Sequence, residues 1–486
     1  MSEAVYRALA NASSGFVEAP AGCGKTEAIA RAVGSFCTGR QLVLTHTHAG
    51  VDALGLRFKE LGVPRDRYHI DTIAGWSWGW VRKYPENSEY RGSLEIAAWS
   101  DVYGALSRLL QKDFVRQGVL NSYSGIVVDE YQDCTVPMHQ LIVGLKQLLP
   151  CRVLGDELQG IFGFRGEALV SWSDVRSEFS NDLGVLDTPY RWMKVNNETL
   201  GRWLLSARSD FRMNREPDYR HSPIERMTIP FTEVSAQLIR MTHEKTGRIC
   251  IVGPKARPLP AGLETSLVNN GYRVLESNEL AALREIVTNL SDGSPSEKAE
   301  AAEEFLFRAY GGVRDDDKRF ISRLLKGESQ RPRRQDRRSL SEKHPSGATS
   351  SMLLDLFPYL EVQAEVSAKL RDSISALKCV LEEHQRSGTA LKSLYADEIA
   401  RRKHLSRSRV FRSIGSTLLV KGLEFDHVVV VRNADWQQND WGTHRDLYVA
   451  LTRGSRTTTL IDLQSPPRAH LNQAPPTQAA RQFSLF

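Results

Sequence analysis

The sequence predicts an α/β protein whose parallel sheets are organised around one glycine-rich loop. Two observations favour this fold class. The first is a succession of strand, loop and helix: Gly15–Glu18 has the pattern of a buried strand end, Ala19–Thr26 that of a loop, and Glu27–Val33 that of the first helical turns. The second is the β-branched run Gly125–Val128, which ends in the acidic pair Asp129–Glu130. Buried strands that alternate with helices are typical of α/β folds with parallel sheets.

The loop has the sequence A-P-A-G-C-G-K-T. Backbone N–H groups of such a loop surround phosphate groups, and the N-terminus of the following helix adds the positive end of its dipole. Lys25 is expected to reach the β- and γ-phosphates, and the Thr26 hydroxyl to hold Mg²⁺. Because the strand, the Lys-Thr pair and the distant acidic pair agree, we interpret the segment as a nucleotide site, although Ala19 replaces the usual first glycine. The predicted nucleotide-binding residues are Ala21, Gly22, Cys23, Gly24, Lys25, Thr26 and Glu27.

The acidic pair supplies the second half of this predicted site. Asp129 stands at the C-terminal end of its strand and is expected to hold the same metal ion as the loop hydroxyl, while Glu130 can polarise a water for attack on the γ-phosphate. Farther along, Cys151–Asp156 predicts another buried strand. Asp156 and Gln159 would present polar side chains at its end and sense whether the γ-phosphate is present.

Composition limits the class of protein. A chain of 486 residues is too long for one core and predicts several domains. No apolar run approaches the length of a membrane span and no signal-like N-terminus is visible, so we expect a cytoplasmic protein with no membrane partner. Six scattered cysteines predict reduced, buried thiols and no zinc site. The formal net charge of +6 permits a polyanionic partner without requiring one.

The rest of the first half has strand patterns at Gln41–Thr47 and Tyr68–Ile73, followed by helical patterns from Trp76 to Asn121. Trp76, Trp78 and Trp80 stand at every second position. Two interpretations stay open: a face on which bases stack, or the edge of a packed core.

The second half predicts its own parallel sheet, with strand patterns at Arg248–Gly253, Tyr272–Glu276, His427–Val431 and Thr457–Leu463. Between them, residues 281–403 have helical patterns and no strand pattern. This region contains the basic run Arg331–Arg338, for which two interpretations stay open: contact with phosphates, or a solvated loop.

In these motifs the chain resembles the superfamily 1 DNA helicases of the UvrD/PcrA/Rep type. The first half has G-C-G-K-T, V-V-D-E-Y-Q-D and G-D-E-L-Q-G-I-F-G-F-R-G, in that family's order. The second half continues with Pro189–Arg191, Val420–Asp426 and Leu447–Arg453. The resemblance implies two RecA-like motor domains with short, mainly helical insertions and with ATP bound between the domains.

Five regions, made of seven segments, follow from this comparison of motifs. Residues 1–75 and 122–185 are expected to form the first motor domain, with 76–121 as a small helical insertion. Residues 186–280 and 404–465 are expected to form the second, with 281–403 as a helical accessory insertion. Residues 466–486 would be a flexible C-terminal tail.

The resemblance also implies catalytic roles. Lys25, Asp129 and Glu130 would act on ATP and Mg²⁺, and Gln159 would contact the γ-phosphate and couple it to DNA. Arg191 and Arg453 resemble the family's two arginine fingers, supplied across the cleft by the second domain. Fixed guanidinium groups in a water-poor cleft suit the charge that develops on a transferred phosphoryl group.

Other positions match motifs that line the nucleotide or the DNA. Glu424 is assigned to the nucleotide, and Phe164 is the expected base-stacking aromatic. The DNA-binding residues implied by the resemblance are Thr47, His48, Thr72, Trp76, Phe162, Phe164, Arg165 and Lys421.

The chain departs from the family pattern at several of these motifs. His48-Ala49 replaces an Asn-Lys pair, Thr72-Ile73-Ala74 replaces Thr-x-His, and Leu418 stands where a histidine is usual. These differences predict altered DNA contacts beside an intact ATP pocket. Residues 1–20 contain no glutamine to recognise adenine, so the choice between ATP and other nucleotides stays open.

Two functions are compatible with these motifs. The leading hypothesis is an ATP-dependent single-stranded DNA translocase with 3′→5′ helicase activity, in DNA repair, replication or antiphage defence. The alternative is a nucleotide- and DNA-sensing ATPase subunit that regulates a partner nuclease and unwinds little. Compact UvrD-like proteins occur beside OLD-family nucleases in Gabija-type antiphage systems, which makes such a nuclease the implied partner.

The C-terminal tail ends in Gln482–Phe486, Q-F-S-L-F, after a proline-containing segment without periodicity. The pentapeptide resembles the Q-L-[SD]-L-F peptide with which bacterial proteins dock on the replicative sliding clamp. Leu485 and Phe486 would fill an apolar pocket while Gln482 forms a hydrogen bond at its rim. The alternatives are a chance match and a tail that packs on its own domain.

Overall fold

The computed structural model describes most of the chain. The described residues are 2–90, 99–161, 168–253, 259, 261–275, 279–328, 332–392, 394–395, 398, 411–433 and 442–464. They divide into two compact units, the first made of Met1–Arg208 and Arg273–Phe411 and the second of Ser209–Tyr272 and Arg412–Phe486.

The first unit contains a six-stranded sheet with the strand order β3-β2-β4-β5-β1-β6, in which all neighbours are parallel. Every strand therefore ends at the same edge of the sheet. The strands are β1 (Ser14–Glu18), β2 (Gln41–Thr45), β3 (Tyr68–Thr72), β4 (Gly125–Val128), β5 (Cys151–Gly155) and β6 (Asp182–Val185).

Helices connect these strands and follow the sheet. They are α1 (Ser2–Asn11), α2 (Lys25–Arg31), α3 (His48–Glu60), α4 (Ile73–Val81), α5 (Pro85–Ser88), α6 (Trp99–Leu109), α7 (Asp113–Ser122), α8 (Val136–Lys146), α9 (Trp172–Glu178), α10 (Tyr190–Met193), α11 (Glu198–Ser206) and α12 (Arg208–Arg212). A π turn, Ala32–Phe36, extends α2.

Alternation along the strands buries both faces of this sheet. Leu42 and Val128 point to one face, where they join a core with α4, α6, α7 and α8. Val43 and Val127 point to the other face, where they join a core with α1, α2 and α3. Successive strand residues face opposite sides, so apolar residues in succession are what a sheet covered on both faces requires. The described residues of the segment 76–121 are mainly helical, and their apolar side chains belong to the first core.

The segment expected to be an accessory insertion has its own core of helices. These are α15 (Glu279–Asp292), α16 (Pro295–Ala309), α17 (Asp315–Leu325), α18 (Gln335–Lys343), α19 (Ser350–Glu361) and α20 (Arg371–Ser387). The prediction of no strands here is wrong, since β10 (Tyr310–Gly311) and β11 (Ser367–Ala368) pair antiparallel. Both strands have two residues, which is too short for a periodic pattern.

The basic run at 331–338 is also corrected. From Gln335 it is helix rather than loop, and the Arg337 side chain is buried. Its guanidinium donates to Asp317 Oδ1 at 2.7 Å and to the Tyr359 hydroxyl at 3.0 Å. Part of the positive charge of this run is therefore paired with a carboxylate inside the same helical segment.

A second six-stranded sheet has the order β7-β14-β13-β8-β12-β9, and its strands other than β9 belong to the second unit. The strands are β7 (Glu225–Pro230), β8 (Ile249–Gly253), β9 (Arg273–Val274), β12 (Arg412–Ser416), β13 (Phe425–Asn433) and β14 (Gly454–Gln464). The helices in this part of the chain are α13 (Val234–His243), α14 (Ala261–Asn269), α21 (Thr417–Val420) and α22 (His444–Leu451). The two six-stranded sheets with flanking helices confirm the predicted α/β class with two RecA-like domains.

The division between the units differs from the expected domain bounds. The first unit extends to Arg208, whereas the motifs placed the boundary at residue 185. The physical reason is local: the backbone N–H of Arg191 donates to the Gly22 carbonyl at 3.1 Å, which joins this segment to the glycine-rich loop. The expected insertion also clusters with the first unit.

Candidate nucleotide site

The glycine-rich loop joins β1 to α2 in a conformation that needs its glycines. Gly22 and Gly24 have φ angles of 70° and 82°, in the left-handed region that side chains disfavour. A Cβ on Gly22 would lie 2.7 Å from the Trp192 ring, and one on Gly24 would lie 3.0 Å from the Tyr190 ring. Both glycines therefore allow a close backbone turn beneath the segment around α10.

Lys25, the first residue of α2, connects the loop to the acidic pair. Its Nζ lies 2.6 Å from Glu130 Oε1 and 3.5 Å from Asp129 Oδ1. Burial disfavours the ammonium, but the two carboxylates outweigh this effect and raise the pKa of Lys25. The lysine is therefore a fixed positive charge at the carboxyl edge of the sheet, where β1 and β4 end.

The acidic pair has an unusual backbone. Glu130 has a φ of 55°, an uncommon left-handed conformation for a residue other than glycine. Its N–H donates to Asp129 Oδ1 at 2.8 Å, which orients the aspartate. Burial raises the pKa of Asp129, Lys25 partly opposes this effect, and the adjacent Glu130 carboxylate adds to the rise. Backbone strain of this kind clusters at functional sites.

Gln132 is a site residue that sequence reasoning missed. Its Nε2 donates to Glu130 Oε2, and its Oε1 accepts from the Asp156 N–H at 3.0 Å. The amide therefore connects the ends of β4 and β5. The only signal in the sequence is its place within V-V-D-E-Y-Q-D, because the connection depends on two strands that meet only in the fold.

Asp156 and Gln159 lie where β5 ends, as predicted. Gln159 Nε2 donates to Asp156 Oδ2 at 2.9 Å. The carboxylate is fully buried, and Arg208 Nη2 lies 2.8 Å from Asp156 Oδ1. Burial alone would favour the neutral acid, but Arg208 outweighs it and lowers the pKa of Asp156. Asp156 is therefore an ionised carboxylate at the same sheet edge as Lys25, and its hydrogen bond with Gln159 orients the glutamine.

The residues present fit a magnesium nucleotide. Among the residues that the structure describes, no group of three or more His, Cys, Asp or Glu side chains could hold a metal by itself. Mg²⁺ usually takes one or two protein ligands and completes its shell with phosphates and water. Asp129 and the Thr26 hydroxyl, beside a lysine and loop N–H groups, are a donor set of that kind.

Comparison with protein families matches residues 80–180 to the UvrD/REP helicase N-terminal domain. The matched segment contains the acidic pair, Gln132, Asp156 and Gln159. Over this segment the chain is similar to the UvrD-like helicases. Sequence comparison finds no match among curated proteins.

Comparison with solved structures gives helicases at 11% identity. The arterivirus nonstructural protein 10 helicase aligns at 11% identity and a TM-score of 0.35, over 94% of this chain and 61% of that chain. The complex of that helicase with DNA aligns at 11% identity and a TM-score of 0.36, over 96% of this chain and 63% of that chain. The Escherichia coli DEAH/RHA helicase HrpB aligns at 11% identity and a TM-score of 0.29, over 55% of this chain and 28% of that chain. This chain thus spans about three fifths of the arterivirus protein's length.

The remaining loop residues have mainly structural surroundings. Ala21 and Cys23 are buried, and burial raises the pKa of the Cys23 thiol to about 12. The Glu27 carboxylate pairs with Arg31 and with Arg57, so it ties α2 to α3. The expected nucleotide contact of Glu27 stays a prediction.

The two predicted arginine fingers lie in different units. Arg191 belongs to the first unit, and its guanidinium carbon lies 5.6 Å from the centroid of the Trp192 ring. The expectation that it comes from the second domain therefore does not match this division. Arg453 belongs to the second unit, where its buried guanidinium donates to the Val449 carbonyl at 2.9 Å and to the Leu423 carbonyl at 3.3 Å.

Two predicted DNA-binding threonines cap helices. The Thr47 hydroxyl accepts from the Gly50 N–H at the start of α3, and the Thr72 hydroxyl accepts from the Gly75 N–H at the start of α4. Such caps stabilise a helix by about 1 kcal/mol. Thr72 is buried, whereas Thr47 and His48 are exposed beyond the end of β2.

For the tryptophans, the packed-core interpretation agrees with the structure. Trp76 is 3% exposed and lies on α4, and Trp78 and Trp80 pack against the same core. Trp76 and Trp80 contact each other edge to face, with centroids 6.2 Å apart, as residues four apart on a helix do. Trp76 is therefore not available as an open stacking platform.

The remaining residues predicted to bind nucleotide or DNA either follow α21 or lie outside the described residues. Lys421 is half-buried and Glu424 is exposed in the turn before β13. Phe162, Phe164 and Arg165 lie outside the described residues, as does the tail with Gln482–Phe486. Among the described helices, none has the length and apolar character needed to span a bilayer.

Proposed function

We propose that this UvrD-like chain is an ATP-dependent translocase on single-stranded DNA with 3′→5′ helicase activity. The observation that carries the proposal is the ion-pair cluster of Lys25, Asp129 and Glu130, at the carboxyl edge of a parallel sheet and beside a glycine-rich loop. The family match supports the same conclusion.

The roles follow from charge and position. Lys25 and the loop N–H groups would bind the phosphates, and Asp129 with Thr26 would hold Mg²⁺, which neutralises charge on the phosphoryl group. Glu130 would accept a proton from the attacking water. Gln159 would contact the γ-phosphate from the neighbouring strand end.

The first prediction concerns DNA. ATP hydrolysis should rise when single-stranded DNA is added, and a duplex with a 3′ tail should be separated faster than one with a 5′ tail. DNA affinity should fall with salt, since phosphate contacts release counterions. The measurements are steady-state ATPase and strand-displacement assays on the full chain.

The result also separates the two functions left open by the sequence. ATPase activity that DNA stimulates without strand separation would favour a sensing subunit for a partner nuclease, such as one of the OLD family. Unwinding with the opposite tail preference would contradict the proposed direction.

A second prediction concerns the tail. We expect a peptide of residues 477–486 to bind a purified bacterial sliding clamp saturably, because two apolar side chains and a glutamine match such a pocket. A tether would then raise the effective concentration of the chain at the clamp. Fluorescence titration measures this binding, and the matched control replaces Leu485 and Phe486 by alanine. Equal binding by both peptides would refute the docking proposal.

A further inference from the structure

Arg208 is a buried arginine of the first unit that no motif predicted. Arg208, the first residue of α12, is 5% exposed. Its Nη2 lies 2.7 Å from Glu18 Oε1 and 2.8 Å from Asp156 Oδ1. Each carboxylate is itself buried, at 8% and 0% exposure. A buried charge bridging two buried carboxylates is costly unless its geometry is well determined.

The two carboxylates belong to the two segments that frame the nucleotide site. Glu18 is the last residue of β1 and directly precedes the glycine-rich loop. Asp156 follows β5 and accepts a hydrogen bond from Gln159 Nε2. Since β1 and β5 are neighbours in the sheet, the guanidinium fixes the distance between the start of the loop and Gln159.

The same network continues to the loop lysine. The Asp156 N–H donates to Gln132, Gln132 donates to Glu130, and Glu130 pairs with Lys25. Hydrogen bonds and ion pairs thus run from Lys25 to Arg208 and return to the loop through Glu18. Such connected networks act as units, so a change at one member is felt at the others.

We propose that Arg208 is a positioning residue that holds Gln159 in register with the phosphate-binding loop. This inference rests on the proposed ATPase function, and it assigns to Arg208 the discrimination between nucleotides with and without a γ-phosphate. Ser209 begins the second unit, so the same side chain anchors the chain at the point where it leaves the first unit.

The test compares Arg208→Lys, Gln159→Ala and the double variant in the full chain. Lysine keeps the positive charge, but its flexible ammonium lacks the rigid planar donor group of arginine, whose Nη2 contacts both carboxylates. The matched control is Arg176→Gln, because Arg176 Nη2 lies 3.8 Å from Glu18 Oε2 and is half-exposed. This control removes a positive charge next to the same glutamate.

We expect Arg208→Lys to lower kcat on the order of 10- to 100-fold, as misplacement of a reacting group does. ADP affinity should stay within about twofold, while the preference for a non-hydrolysable ATP analogue over ADP should be lost. The double variant should have the same kcat as Gln159→Ala, since Arg208 is proposed to act through Gln159. The Arg176→Gln control should retain the analogue preference.

Four results decide between these outcomes. Unchanged turnover and analogue preference in Arg208→Lys, beside an active wild type, would overturn this inference alone. Multiplicative losses in the double variant would also overturn it, since they would mean independent roles. A wild type that binds analogue and ADP without turnover would refute the proposed function, while the preference ratio would still decide the role of Arg208. A wild type that binds neither would overturn both.

Discussion

Replacing Lys25 by alanine is expected to abolish ATP turnover. The ammonium lies 2.6 Å from Glu130 Oε1, at the start of the helix that follows the loop. Its loss removes the fixed positive charge from the phosphate site and leaves two adjacent carboxylates facing it. Steady-state ATPase measurement with saturating single-stranded DNA tests this expectation.

Glu130→Gln should stop turnover in a different way. The amide keeps the shape of the side chain and removes the base, so ATP should bind and remain unhydrolysed. Filter binding and a single-turnover assay distinguish the two variants: Lys25→Ala should bind ATP weakly, and Glu130→Gln should retain it. The control is Lys59→Ala, an exposed lysine near the end of α3. Near-wild-type hydrolysis in Lys25→Ala and Glu130→Gln would refute the assigned site.

The parts of this site that the sequence predicted are those defined by short segments. The loop, the strand end at Asp129 and the strand end at Asp156 each combine a buried run with polar residues directly after it. Because parallel strands end at one edge, three local patterns are enough to bring these groups together. The same logic predicted the sheet strands whose residues are buried in succession.

The missed features depend on partners far apart in the chain. Arg208 and Glu18 are 190 positions apart, so no local pattern indicates their ion pair. The missed strands are polar or exposed: β6 and β7 lie at sheet edges with few buried residues, and β12 has the sequence R-S-I-G-S. The alternate positions of the tryptophans are compatible with a stacking face and with a packed core. The structure agrees with the packed core, because Trp76 and Trp80 are one helical turn apart and contact each other.

Arg191→Ala is expected to reduce turnover by roughly 10³-fold, a loss typical of an arginine that stabilises the transferred phosphoryl group. The structure strengthens this choice over Arg453, because Arg191 lies on a segment bonded to the Gly22 carbonyl. Arg453 is instead buried against carbonyls of its own unit, so its removal would combine lost charge with lost packing.

The measurement is kcat with saturating ATP, together with ATP affinity, which should change far less because the arginine acts mainly on the transition state. Arg202→Ala is the matched control, since Arg202 lies on the adjacent α11 and forms only an exposed helical pair with Glu198 among its described ion pairs. Exposed pairs of this kind contribute little, so the control should retain both its activity and its stability. If Arg191→Ala retained the wild-type rate, the guanidinium beside Trp192 would have a structural role on the loop, and the finger would have to be sought elsewhere in the chain.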